Sequence, residues 1–233
     1  MTARYAIYFT PDDKSELAAY GATVLRRTPV DASDWLNPDL PVSFPDTSAW
    51  HDQIKKPAHY GFHATIKAPF ELAQGQSADK LITDLEAFCQ NKTPIILDGL
   101  APVRSSRYDA LAFKQQPDEI PILASDCVTQ FEVYRAPLTA ADIERRNPAS
   151  LTESELANMH RYGYPFVLND FNFHMTLSGQ NNRDDNAWFV WLQDLYLAMV
   201  KETPIMDRLC VFYQIDRQSP FTRIEEFKFG NCD

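Results

Sequence analysis

Apolar and polar positions along the chain switch between a period of two and a period of three to four. Arg4 to Phe9 alternates and is rich in Tyr, Ile and Phe, which predicts a strand. Residues 13–27 follow a helical period, with Leu17, Gly21, Val24 and Leu25 on one face. Pro38, Pro41, Pro45 and Pro57 make 35–57 read as a long irregular loop, a lid or a static cover. A strand over 59–69 follows. Ser77 then caps a helix with Leu81, Ile82, Leu85 and Phe88 on one stripe. Strands are predicted near 95–103 and 108–114, and a helix over about 121–134 turns Leu123, Cys127, Val128 and Phe131 inward. Thr139 with Asp142, and Thr152 with Glu155, are two helix starts of capping-box type, and Gly163 is a stop for the second. A strand over 171–178 precedes a helix over 184–199 bearing Trp188, Trp191, Leu192, Leu195 and Met199. Strands near 208–215 and 223–229 close the chain.

Within this pattern one five-residue string occurs twice. Phe62-His63-Ala64-Thr65-Ile66 and Phe173-His174-Met175-Thr176-Leu177 share aromatic, His, apolar, Thr, aliphatic. A strand sends alternate side chains to opposite faces, so each copy turns His and Thr one way and its apolar residues the other. After each copy the expected order is the same: polar turn, amphipathic helix, two strands. The chain therefore reads as α+β and bilobal, one domain over 1–233. Two pseudo-symmetric lobes, built around 59–69 and 171–178, each have an antiparallel sheet and helices, with an active-site cleft between them.

Two histidines facing one cleft can divide acid and base roles, one taking a proton from an attacking oxygen and the other giving one to a leaving oxygen. The Thr two residues on can hydrogen-bond a phosphoryl oxygen, as in-line displacement at phosphorus requires. Continued alternation puts Lys67 after Thr65 and Ser178 after Thr176, so Lys67 is either a phosphate ligand or a solvated strand end. The rival use of paired histidines is a metal site with His59 or His51 as third ligand, but the motifs bring no carboxylate or Cys. The expected cofactor and metal complement is none.

The formal net charge of −10 argues against long nucleic acid as the main partner, while a small anionic substrate needs only a few local cations. Seven Gly against 16 Pro leave no Gly-rich phosphate loop. No apolar run is long enough for a membrane span, no secretory leader is visible, and Cys89, Cys127, Cys210 and Cys232 are scattered. Free thiols and a cytoplasmic location are expected.

With its paired motifs the chain resembles the 2H phosphoesterase superfamily, named for two His-x-Thr/Ser-x motifs. Arg4–Phe9, Tyr60–Phe70, Tyr134–Leu138 and Tyr162–Val167 look like its branch associated with phosphonate metabolism. The resemblance implies a bilobal fold and metal-independent chemistry on a small cyclic phosphate, a ribose cyclic phosphate or a 2′,3′-cyclic nucleotide. His63 and His174 would be the acid/base pair, and Thr65 and Thr176 the phosphate ligands. Tyr60 and Tyr164 either contact a sugar or base or pack in the core; Tyr5 is similar. Arg135 either reaches the cleft or closes a helix-end ion pair. Arg104 and Arg107 read as a solvated pair and His160 as exposed. Alternatives are an RNA-end 2′,3′-cyclic phosphodiesterase or 2′–5′ ligase, and a non-catalytic phosphometabolite sensor.

Overall fold

In the computed structural model, which describes residues 3–31, 40–43, 47–105, 107–146, 148–179 and 186–230, the elements follow one another twice in the same order but for one more helix in the second series. The first series is β1 (Arg4–Phe9), α1 (Glu16–Leu25), α2 (Thr47–Tyr60), β2 (Ala64–Phe70), α3 (Ala78–Cys89), β3 (Ile95–Ile96) and β4 (Ala101–Arg104). The second is β5 (Asp109–Ala112), α4 (Glu119–Gln130), α5 (Ala140–Arg145), α6 (Glu153–Tyr162), β6 (His174–Thr176), α7 (Ala187–Met199), β7 (Ile205–Met206) and β8 (Arg208–Gln214), with β9 (Thr222–Lys228) added at the end. Seven strands form one antiparallel sheet in the order β4-β5-β6-β2-β1-β8-β9, and β3 pairs with β7 apart from it. The motif strands β2 and β6 lie side by side at the centre, flanked by β5 and β1, with β4 and β8 outside them. The expected α+β architecture and its internal repeat are both present. The repeat begins earlier than the motif strands suggest, at β1 and β5, and each half lends its last strand to the other half's edge.

Alternation decides what each face carries. Ile7 and Phe9 of β1 enter the large core with Leu81, Leu85, Trp188, Leu192 and Val211, while Ala6 and Tyr8 join Cys210, Phe212 and Phe221 on the opposite face. Tyr5 follows the first set: it packs against the large core, its ring 5.3 Å from Tyr213. It is therefore not a substrate-contacting residue of the kind the sequence suggested.

Two sequence expectations are corrected by local backbone chemistry. Residues 47–57, expected to be irregular, and 59–60, expected to open a strand, lie in one helix that runs through Pro57; positions 35–39 and 44–46 of the 35–57 stretch lie outside the described residues. Proline at this point has no N–H to give to the carbonyl four residues earlier. That carbonyl, Gln53 O, instead accepts the N–H of Gly179 at 2.6 Å, so the helix is tied to the end of the second motif. The helix also claims His59 and Tyr60, and β2 begins at Ala64. The second correction is a register shift. Tyr8 pairs with Thr65, but Ile7 pairs with Lys67, so Ile66 is an extra residue in β2. Such a bulge breaks the alternation. Ile66 and Lys67 are both buried, and Lys67 points toward α4.

The capping boxes of α5 and α6 form as expected at Thr139 with Asp142 and Thr152 with Glu155, and Gly163 ends α6 with φ 74°. In α1, Gly21 faces Phe62, the first residue of the first motif. A Cβ built at Gly21 would lie 2.0 Å from the Phe62 ring, which is only 2% exposed. Gly21→Ala is expected to destabilise the fold by about 1–3 kcal/mol through overpacking, although Ala is the better helix former. The urea midpoint measures it; an unchanged or higher midpoint would contradict this packing.

Candidate active site

A single register fixes the site. Ala64 of β2 pairs with Met175 of β6, both buried. Extending this antiparallel pairing by one residue each way sets His63 opposite Thr176 and Thr65 opposite His174. All four lie on the face away from Ala64 and Met175, and all are half-buried. Directly opposed Cβ atoms in an antiparallel pair are about 4.5–5.5 Å apart and diagonal ones about 7–8 Å. The result is a four-cornered array with the histidines on one diagonal and the threonines on the other.

Each histidine is held in the same way. His63 Nδ1 lies 2.8 Å from Gly61 O, and His174 Nδ1 lies 2.9 Å from Asn172 O. A carbonyl only accepts, so Nδ1 carries the hydrogen in both rings, and the neutral form has its lone pair on Nε2. Gly61 stands at φ 77°, a left-handed conformation that turns its carbonyl toward His63. The Thr65 hydroxyl lies 3.3 Å from His63 Nε2. His63 also stacks on Tyr8 at 3.8 Å and 22°, and His174 on Tyr108 at 5.4 Å and 28°.

The two rings differ in their surroundings. Burial among Tyr8, Tyr60 and Phe212 lowers the His63 pKa from 6.5 to about 4; the Gly61 carbonyl opposes this, and His174 and Arg27 add to it. His174 stands at the edge of the site beside the half-buried Tyr108.

A cavity of about 730 Å³ opens over the array, with His63, Thr65, Thr176 and Ser178 in its wall. Tyr8, Tyr60, Tyr108 and Tyr164 supply aromatic surface, and Arg4, Lys56, Arg107, Arg145 and Arg146 supply positive charge. No carboxylate lines it among the described residues. Tyr60 stacks on Phe221 at 5.5 Å, and Tyr164 lies beneath the Arg146 guanidinium at 5.0 Å.

Of the residues suggested by sequence, His63, Thr65, Thr176, Tyr60 and Tyr164 thus meet at one cavity, with His174 beside it. Lys67 does not join them. The bulge carries it behind the sheet, where it is 2% exposed, with its ammonium 2.9 Å from Glu132 and 3.3 Å from Val128 O. Arg135 also pairs with Glu132 and lines an adjoining recess with Arg217, not the histidine cavity. Ser178 is 1% exposed and accepts the Asp109 N–H at 2.9 Å, anchoring β5 under the wall. Arg104 and Arg107 part company: Arg104 binds the buried Asp109 at 3.0 Å, whereas Arg107 is exposed, as expected, at the lining of the cavity. His160 is exposed on α6. His59 is 3.2 Å from Gln214 Nε2.

Sequence reasoning missed Tyr8, Tyr108, Arg4, Lys56, Arg145 and Arg146. Tyr8 and Arg4 were within reach of the method, because both alternate with Tyr5 on β1. The others come from a helix, a turn and a helix end that only the fold brings together.

His63 is expected to stay neutral on acidification until about pH 4, followed by NMR of its ring. The unfolded chain takes up this proton near 6.5, so the native state is destabilised as pH falls from 6.5 toward 4, and the full contribution is present above 6.5. Replacing His63 with Gln should flatten that part of the stability profile. A second expectation concerns Lys67. Lys67→Met should change stability but leave catalytic efficiency within about twofold, because Glu132 keeps Arg135 as partner. A large loss of turnover with the fold intact would return Lys67 to the site.

The model of a family described as protein of unknown function (DUF1045) matches residues 65–222. A protein of Janthinobacterium sp. (strain Marseille) named ribose 1,5-bisphosphate phosphokinase PhnN is 37% identical over 178 residues, 75% of this chain and 38% of that protein. One of the same name from Laribacter hongkongensis (strain HLHK9) is 32% identical over 184 residues, 78% of this chain and 41% of that protein. The chain therefore spans about two fifths of the length of these curated relatives. Among solved structures, E. coli LigT complexed with 3′-AMP aligns with 99% of this chain and 100% of its own at 12% identity and a TM-score of 0.44. A structure described as a phosphoesterase aligns with 99% of this chain and 100% of its own at 13% identity and 0.43. From the family match over 65–222, the chain belongs to the DUF1045 family.

Proposed function

We propose that this protein is a metal-independent phosphodiesterase that hydrolyses a small cyclic phosphate, with His63 and His174 as base and acid. The observation that carries the reading is the four-cornered His/Thr array beneath a cationic cavity. A phosphate centred over it meets the Thr65 and Thr176 hydroxyls on one diagonal, which donate to its non-bridging oxygens. On the other diagonal the histidines reach the entering and leaving oxygens from opposite sides, the arrangement in-line displacement demands. His63, held neutral with its lone pair on Nε2, takes the proton of the attacking water. The water oxygen bonds to phosphorus as the ring P–O bond breaks, and the departing sugar oxygen takes the Nε2 proton of His174, which enters the cycle as the imidazolium. Solvent then returns both rings to their starting states, and the product is a phosphomonoester.

A ribose cyclic phosphate fits the cavity's mixture of aromatic wall and cations. It also agrees with the relatives, which are named for a bisphosphorylated ribose and match this chain over part of their length. A place in phosphonate metabolism follows the sequence resemblance. Cytoplasmic residence agrees with Cys89, Cys127 and Cys210, which are free and buried, with the Cys89 thiol pushed up to about 12. No helix among the described residues is long and apolar enough to cross a membrane. The cationic lining is also what an RNA-end reaction would use, so short RNAs ending in 2′,3′-cyclic phosphate belong in the same screen.

The test is a phosphorus NMR screen of cyclic phosphates with wild type, His63→Ala and His174→Ala. Each single variant should lose about 10²–10⁴-fold in turnover, and the double variant little more. Activity should survive EDTA. The acid limb of kcat/KM should lie well below 6.5, following His63. Full turnover by a folded His63→Ala protein would overturn the reading. Ligand-dependent thermal stabilisation without turnover would make the protein a sensor.

A further inference from the structure

The cations of the cavity are not spread evenly. Arg4, Arg145 and Arg146 line both the histidine cavity and the adjoining recess that holds Arg135 and Arg217, so they stand at the junction of the two. Their pairing is unequal. Arg145 binds Asp142 at 3.1 Å, and Arg217 binds Asp142 at 2.8 Å. Among the described residues Arg4 binds the neutral Gln214 amide oxygen, at 2.8 Å from Nε, and faces the Phe221 ring. Arg146 lies over the Tyr164 ring. Among the described residues neither Arg4 nor Arg146 is ion-paired with a carboxylate. Both are partly buried, and burial depresses their pKa values; Arg145 and other arginines push the same way, while neighbouring tyrosines and, at Arg146, Asp142 oppose it.

Partly buried guanidinium groups that make no direct ion pair are costly, and the cost is relieved when an anion arrives. Two such groups side by side match a dianion, and the planar fork of each suits phosphate oxygens. Position supplies the rest. Arg4 and Tyr8 lie on the same face of β1, four residues apart, about 13 Å along the strand. Tyr8 is the residue on which His63 stacks. A guanidinium reaching back toward the array leaves about a sugar's length between the scissile phosphate and a second anion.

Resting on the two-histidine reading above, we infer that the substrate carries a second, terminal phosphate. Arg4 and Arg146 bind this phosphomonoester at the junction while the cyclic phosphate lies over His63 and His174. The substrate class is then a sugar cyclic phosphate bearing a phosphomonoester at its other end, rather than an unphosphorylated cyclic nucleotide or a longer strand.

The test measures kcat/KM for two ribose cyclic phosphates that differ only in a 5-phosphate. Wild type should favour the phosphorylated compound by at least about tenfold, equivalent to about 1.4 kcal/mol. In Arg4→Gln and Arg146→Gln that ratio should fall toward one. Binding supplies a readout free of turnover: ribose 5-phosphate should raise the melting temperature of wild type and not of the Arg4→Gln/Arg146→Gln double variant. A ratio near one in wild type with both compounds turned over would overturn this inference and leave the two-histidine reading intact. So would equal stabilisation of wild type and double variant by ribose 5-phosphate. Hydrolysis of neither compound, with stabilisation by ribose 5-phosphate confined to wild type, would remove the phosphodiesterase reading and keep the terminal phosphate site. Preferred turnover of a cyclic-phosphate RNA end over both sugars would overturn the inference in favour of a strand.

Discussion

The structure turns on one antiparallel pairing, Ala64 against Met175. It joins the two halves into a continuous sheet, and it places the approximate two-fold between the two motifs. Because the paired residues are the middle positions of the two His-x-Thr strings, the residues on either side cross over, His to Thr and Thr to His. A slip of one residue would send one motif's His and Thr to the buried face. Ala64 and Met175 are 1% and 0% exposed, so the apolar core on one side enforces the register on which the polar array on the other depends. Core packing and site geometry are here one constraint.

Around that pairing the fold uses irregularities to fasten the cavity wall. Pro57 releases the Gln53 carbonyl, and the Gly179 N–H takes it, so the helix supplying Lys56, Pro57 and Tyr60 to the cavity is moored to the end of the opposite motif. Arg27, itself 5% exposed, donates to Ala58 O and to Phe221 O at 2.9 Å, closing the same helix end against β9's approach. Gly61 follows immediately and presents its carbonyl to His63. Each tie joins residues from different parts of the chain to the same turn, which fixes where the His63 ring lies before any ligand arrives.

What the sequence could disclose followed from how local each feature is. Alternation identified the faces of His63, Thr65, His174 and Thr176, because strand geometry acts between neighbours. The capping residues Thr139, Thr152 and Gly163 were legible for the same reason. Lys67 was assigned to the wrong face because one extra residue at Ile66 breaks a parity that text alone carries on indefinitely. Helix α2 was obscured by Pro57, whose missing hydrogen bond is compensated by a partner 126 positions ahead of Gln53. The arginines were invisible for a different reason. A net charge of −10 averages over the surface, whereas the cavity concentrates cations from β1, α2, α5 and the turn before β5. Composition reports the sum of charge, and function depends on its placement.

A symmetric scaffold poses the question of how two equivalent histidines come to have unequal surroundings. Their tethers are alike: both rings give Nδ1–H to a carbonyl two residues back and stack on a tyrosine. The difference lies behind the stack. Tyr8 is 1% exposed and backed by Phe212 and Phe221, whereas Tyr108 is only half-buried beside the exposed Arg107. Among the described residues the aromatic cluster on β1 and β8 has no counterpart of equal depth on β5 and β4; β4 ends the sheet on that side while β9 extends it on the other. Desolvation therefore lowers the His63 pKa to about 4, while His174 lies at the edge of the site beside Tyr108. The added strand β9, with Phe221 leading into it, is thus what breaks the two-fold in the aromatic packing behind the histidines, and the unequal surroundings of the pair are a property of sheet architecture rather than of either motif.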